Sequence, residues 1–171
     1  ASAAALPVPN ANGWNNSNVT VMISATDNAS GVASCSAPTT LTGEGANQSV
    51  SGTCSDIAGN ASNVAGATVN IDKTAPSASI TTPNGGTYTQ GAVVNASFSC
   101  TDTLSGIAQC TGSVANGAAI DTATTGTMTF SVNATDRAGN LATASTTYTE
   151  PLVMLWTTAA VGIAIGLGQV G

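Results

Sequence analysis

From Val19 onward the chain alternates apolar and polar residues with a period of two. Val19, Val21, Ile23 and Ala25 share one phase and end at Asp27, while Thr20, Met22, Ser24 and Thr26 share the other. The pattern returns at Val94, Ala96, Phe98 and Cys100, ending at Asp102. It returns again at Met128, Phe130, Val132 and Ala134, ending at Asp136. Successive side chains of a strand point to opposite faces, so each run predicts a half-buried antiparallel strand with its apolar face inward. Val50, Gly52, Cys54 and Asp56 form a weaker run, and residues 68–72 and 142–148 predict closing strands. Residues 1–13, small and then proline-bearing, predict a linker or a first edge strand; a signal-peptide cleavage remnant at Ala1-Ser2-Ala3 is the alternative.

The alternating runs belong to a duplication. Cys54-Ser55-Asp56-Ile57-Ala58-Gly59-Asn60 returns as Ala134-Thr135-Asp136-Arg137-Ala138-Gly139-Asn140, 80 positions later (56 to 136). Asp27-Asn28-Ala29-Ser30-Gly31-Val32 returns as Asp102-Thr103-Leu104-Ser105-Gly106-Ile107, 75 positions later (27 to 102). Each Asp-x-Ala-Gly-Asn suits a tight hairpin turn: the aspartate bonds to amides ahead of it, and Gly and Asn tolerate positive φ. Short strands with turn signals every ten residues or so predict an all-β protein of two sandwich domains, residues 1–75 and 76–150. Ile71-Asp72-Lys73-Thr74-Ala75-Pro76 joins them, and Pro76, which donates nothing to a ladder, suits a junction. A third segment, 151–171, falls outside the repeat.

Asp-x-x-Ser-Gly-(Val/Ile), a cysteine just beyond, Asp-x-Ala-Gly-Asn and the Asp-Lys-Thr-Ala-Pro junction together resemble the tandem bacterial immunoglobulin-like repeats of secreted and surface-anchored proteins. The resemblance covers about residues 8–150. Gly86-Thr87-Tyr88, Cys100-Thr101-Asp102 and Val114-Ala115-Asn116-Gly117 carry it most clearly. It implies tandem immunoglobulin-like sandwiches and a role as a spacer, adhesive module or accessory domain.

The repeat also orders the cysteines. Cys35 and Cys110 are equivalent, whereas Cys54 stands where the second unit has Ala134, and Cys100 where the first has Ala25. A strand lying near both others can pair its cysteine with either, the third position becoming alanine. The expected bridges are therefore Cys35–Cys54 and Cys100–Cys110, which imply an oxidising, extracellular or cell-surface setting. Four cysteines divided between two units, with no histidine, lack zinc-ligand spacing.

Composition narrows the chemistry. Charged residues are 6% of the chain, with 2 basic against 8 acidic, which makes nucleic acid a poor partner because phosphate contacts need Lys and Arg; none is expected. Without histidine no serine has its usual base, and catalysis is not expected. Asp27 and Asp56 end inward-phased strands whose turns share one pole of a sandwich, as do Asp102 and Asp136. These four are candidate calcium ligands, since Ca²⁺ takes six to eight oxygens. The competing role is capping of their own turn amides. No other cofactor is implied.

Residues 152–170 carry no charge. As a helix they would span about 28 Å, near the hydrocarbon thickness of a bilayer. Leu152 opens the segment, Trp156 suits an interface, and Gly162 with Gly166 forms a small-xxx-small pair. A membrane or sorting anchor, a strand added to a neighbouring subunit, and the start of a further region all fit. The sequence thus points to a non-catalytic extracellular structural or adhesive protein, a surface stalk or fibre component. Its alternatives are a filament subunit assembled through the tail and an accessory module binding a glycan or protein. The partners expected are neighbouring repeats, copies of itself, or a membrane reached by the tail.

Overall fold

The computed structural model describes residues 1–151. The apolar tail, with Leu152, Trp156, Gly162 and Gly166, lies outside the described residues. Within them the chain is all-β: β1 (Ser2–Leu6), β2 (Val19–Ser24), β3 (Val32–Cys35), β4 (Thr39–Leu41), β5 (Gly45–Gly52), β6 (Cys54–Asp56), β7 (Ala65–Ile71), β8 (Ser77–Thr82), β9 (Ser97–Thr101), β10 (Ile107–Gly112), β11 (Gly126–Asp136) and β12 (Leu141–Glu150). Strands β1 to β7 pair among themselves, as do β8 to β12, and every ladder is antiparallel.

Each half is a sandwich of facing antiparallel sheets. In the first, the sheet β1-β2-β4 faces the pairs β3-β6 and β5-β7. In the second, β8-β9 faces β10-β11-β12. Strand β11 runs unbroken for 11 residues, while its counterpart in the first half is divided at Thr53 into β5 and β6. The alternation decides which side chains enter. Val19, Val21 and Ile23 of β2 are buried, whereas Met22 between them is 47% exposed. They pack with Cys54, Ala65, Val69 and Ile71. The second core gathers Ala96, Phe98, Ile120, Phe130, Val132 and Tyr148, with a tilted Phe98–Phe130 contact at 6.0 Å between ring centroids.

Of the two readings of residues 1–13 the structure has the edge strand, and one other strand is shorter than expected. Residues 1–13 supply an edge strand, β1, paired with Thr20 to Ser24 of β2. Strand β9 begins at Ser97 rather than Val94, because the preceding backbone bonds elsewhere: Ala96 N donates to Ala118 O (2.8 Å) and Ile120 N to Val94 O (2.9 Å).

The bridges are Cys35–Cys54 and Cys100–Cys110, as the repeat alignment anticipates. Cys35 and Cys54 are direct register partners of β3 and β6 within one sheet. Cys110 holds the same register against Ala134 of β11, but its sulfur turns to Cys100 of β9 in the opposite sheet. One position therefore reaches either neighbour, and alanine fills the site left over. The loops span 19 and 10 residues, for which chain entropy gives roughly 3 kcal/mol each.

Replacing both Cys35 and Cys54 by alanine is expected to lower stability by about 2–5 kcal/mol in urea unfolding. Phe130→Ala, at 1% exposure, should cost about 3–5 kcal/mol. Gly112→Ala should cost about 1–3 kcal/mol, because an added Cβ would lie 2.6 Å from the Phe98 ring and 2.8 Å from Val114 O.

Candidate functional site

Four aspartates end inward-phased strands, and all four accept amides of the turn that follows. Asp27 accepts from Gly31 N at 2.6 Å, and Asp102 from Leu104 N at 3.1 Å and Gly106 N at 2.7 Å. Asp56 Oδ1 accepts from Asn60 N at 2.7 Å, and Asp136 Oδ1 from Gly139 N at 2.7 Å and Asn140 N at 2.9 Å. Of Gly139 and Asn140, only the glycine takes positive φ (98°), as Gly59 does (91°). The asparagine serves through its side chain instead. Asn60 Nδ2 reaches Asp56 Oδ2 at 2.7 Å, and Asn140 Nδ2 reaches Asp136 Oδ2 at 2.8 Å. The capping role is therefore present at every one of the four.

The structure brings these aspartates together in pairs, each at the upper end of its half. Asp27 and Asp56 border one cavity of about 170 Å³ with Val32, Asn60 and Ser62. Asp102 and Asp136 are joined by a third carboxylate, Asp72, from the segment between the halves. Oxygens of the three lie within 4.8 Å of one another. Asp72 is 0% exposed and Asp136 1%. The oxygen-only donor set suits a hard cation such as Ca²⁺ and not zinc. Neither basic residue neutralises it directly: Lys73 Nζ bonds Asn18 Oδ1 (3.1 Å) and Thr42 O (2.7 Å), and the Arg137 side chain lies on the surface.

Around Asp72 the two halves are bonded to each other. Ser105 N donates to Asp72 Oδ2 at 3.0 Å, and Asp72 Oδ1 accepts from Thr74 N at 3.1 Å. Asn140 Nδ2 donates to Asp72 O at 2.9 Å and to Thr74 O at 3.1 Å. These acceptors fix which end of the amide is nitrogen. From the turn between β1 and β2, Asn10 Nδ2 and Asn12 Nδ2 donate to Arg137 O at 2.8 and 3.1 Å. Ser105 and Ala138 are buried beneath the contact. Asn10 and Asn12 lie outside every motif, and for Asp72 and Asn140, which the motifs contain, the sequence does not reveal the bonds made between the halves. The sequence signals for Asp72 are its place near the end of the first repeat and in the Asp-Lys-Thr-Ala-Pro junction, and neither joins it to Asp102 and Asp136.

The remaining acids are placed separately. Glu44 accepts Thr74 Oγ1 at 3.0 Å, and Asp121 caps Ala123 N and Thr124 N at 2.9 and 3.1 Å. Glu150 is buried at the far end of β12, and its carboxylate accepts no hydrogen bond among the described residues.

The hydrogen bonds set the titration of the first pair. The Gly31 amide holds Asp27 below its ordinary value of 3.8, with help from the Ser30 hydroxyl. The Asn60 side-chain amide, then its backbone N–H, holds Asp56 below the same value. Only the ionised carboxylates accept these bonds fully, so the stability they contribute is complete above the ordinary value and is lost as pH falls through the lower folded values. Thermal melts across pH 2–5 should show that fall, and Asp56→Asn should flatten it.

No protein-family model and no curated protein matches the chain. Among solved structures it is similar to the fibronectin(III)-like modules of Clostridium thermocellum CbhA, with a TM-score of 0.41 and 14% identity, over 86% of this chain and 93% of that one.

Proposed function

We propose that the chain is a non-catalytic extracellular spacer of the tandem bacterial immunoglobulin-like kind, in which the junction between the two domains is stiffened by polar bonding and by calcium. The observation that carries this is the contact at Asp72: a fully buried linker carboxylate accepts the Ser105 amide while Asn140 grips the linker carbonyls on either side of Lys73. A flexible connector would leave such groups in water. The Ser105 bond to the carboxylate contributes about 1.5–3 kcal/mol and each Asn140 bond to a carbonyl about 0.5–1.5 kcal/mol, together enough to favour one relative orientation. Two disulfides support an oxidising setting. The exterior of a chain with 6% charged residues suits a stalk that holds something at a distance.

Calcium is the second part of the reading. Asp72, Asp102 and Asp136 would each give an oxygen, and the ion would offset the repulsion of three close carboxylates, two of them buried. The cation would then connect the linker to both turns of the second domain. Its role is structural, and no reaction is routed through it.

Two measurements test the proposal. Small-angle scattering should give a single extended shape for the native chain and a broadened distance distribution for Asn140→Ala. Equal curves would remove the stiff junction. Calcium at a hundredfold excess over its dissociation constant should stabilise by about 2.7 kcal/mol, an effect lost in Asp72→Asn. A melting temperature equal in calcium and in chelator would remove the metal and leave the hydrogen-bonded junction standing.

A further inference from the structure

The end of the first half that carries Asp27 and Asp56 repeats the bonding residues of the junction surface. Asp27, Ser30 and Gly31 stand where Asp102, Ser105 and Gly106 stand, and Asp56, Gly59 and Asn60 where Asp136, Gly139 and Asn140 stand. The internal bonds recur as well. Ile57 N donates to Gly31 O at 3.0 Å, as Arg137 N does to Gly106 O at 2.9 Å. Gly59 N and Gly139 N close the same turn onto Asp56 O and Asp136 O, at 3.2 and 3.3 Å.

The difference lies outside the turns. In the second half three groups reach across to another unit: Ser105 N to the Asp72 carboxylate, Asn140 Nδ2 to the carbonyls of Asp72 and Thr74, and Arg137 O to the amides of Asn10 and Asn12. Their counterparts are Ser30 N, Asn60 Nδ2 and Ile57 O. Asn60 Nδ2 bonds its own Asp56 and nothing beyond it among the described residues, and Ser30 N and Ile57 O have no partner of the junction kind there. Burial follows the same division. Ser105 and Ala138 are 4% and 5% exposed, whereas Ser30 is half-buried and Ala58 open to solvent. Beside them Ile57 is 70% exposed, and Val32, 39% exposed, lines the cavity with Asp27 and Asp56.

We infer that this end of the first half is a docking surface for the end of another unit of the same kind, delivered as an Asp-x-Thr segment leading into β1, as Asp72-Lys73-Thr74 leads into β8. The complementarity is chemical. An N–H and an amide NH₂ call for a carboxylate and two carbonyls, Ile57 O calls for a side-chain amide such as Asn10 or Asn12 supplies, and Ile57 and Val32 offer apolar surface to cover. The second half shows that occupant on the same constellation. The inference rests on the reading of the Asp72 contact as a junction.

The strand registers fix the test. Ser2 pairs with Ser24 as Ser79 pairs with Ser99, so the sequence of residues 71–77, Ile-Asp-Lys-Thr-Ala-Pro-Ser, is to be joined directly ahead of Ala1 in the full chain. Amide hydrogen exchange of Ser30 and Ser105 is then followed by NMR. The extension should slow exchange at Ser30 by about tenfold or more. Replacing its aspartate with alanine, or Asn60→Ala, should restore the fast rate. Fast exchange at Ser30 in the extended chain, with Ser105 protected, would overturn the docking surface and spare the junction. Fast exchange at Ser105 itself in the unextended chain would overturn the junction on which the inference rests. Protection of Ser30 that grows with concentration in the unextended chain would make a second copy the occupant and overturn the Asp-x-Thr segment as the ligand.

Discussion

A strand that carries its aspartate on the inward phase delivers that carboxylate to the end of the sandwich, where the next turn offers its amides. This bond, made at Asp27, Asp56, Asp102 and Asp136, ties the strand phase to the turn conformation. Ionised acceptors make stronger bonds than neutral ones, and a carboxylate there satisfies N–H groups that a tight turn would otherwise leave unmet. Because all four acids lie at the same end of their half, the turns converge. The convergence leaves a polar, donor-rich surface to be met by something else.

At the second half that surface meets the linker. Asp72 enters with no exposed area, and its burial is tolerable only because its oxygens and the neighbouring carbonyls are bonded on both sides. The contact is polar and directional, so it specifies an angle as well as a proximity. An apolar joint of similar size would slide more readily, since apolar contact has no directional preference.

The two halves reach the same architecture with different interiors. The first core is aliphatic, built on Val19, Val21, Val69 and Ile71. The second brings in Phe98, Phe130 and Tyr148, with Tyr148 also edge-on to Tyr88 at 5.9 Å. The bridges diverge in parallel: one lies within a sheet at Cys35–Cys54, the other ties sheet to sheet at Cys100–Cys110. The sandwich tolerates either because Cys35 and Cys110 occupy a position that faces its in-sheet neighbour and the opposite sheet at once.

Apart from the short β4 and the edge strand β8, the period of two and the repeat were enough to derive the main strands, their inward faces, the turns and the cysteine pairs. All of these depend on local backbone geometry or on comparing one half with the other. The edge strand β1 was one of two readings, and the late start of β9 was not legible, since it depends on where Ala118 and Ile120 come to lie. The role of Asp72 was beyond the sequence as well. It is 30 positions from Asp102 and 64 from Asp136, and its segment marks it as part of a junction but not as a partner of those two acids. Asn140 was legible as a turn residue, but its reach to the Asp72 and Thr74 carbonyls requires the linker to be laid across the turn. Local patterning fixes which groups a turn can satisfy by itself; which groups remain for a neighbour is decided only when the halves are packed in space.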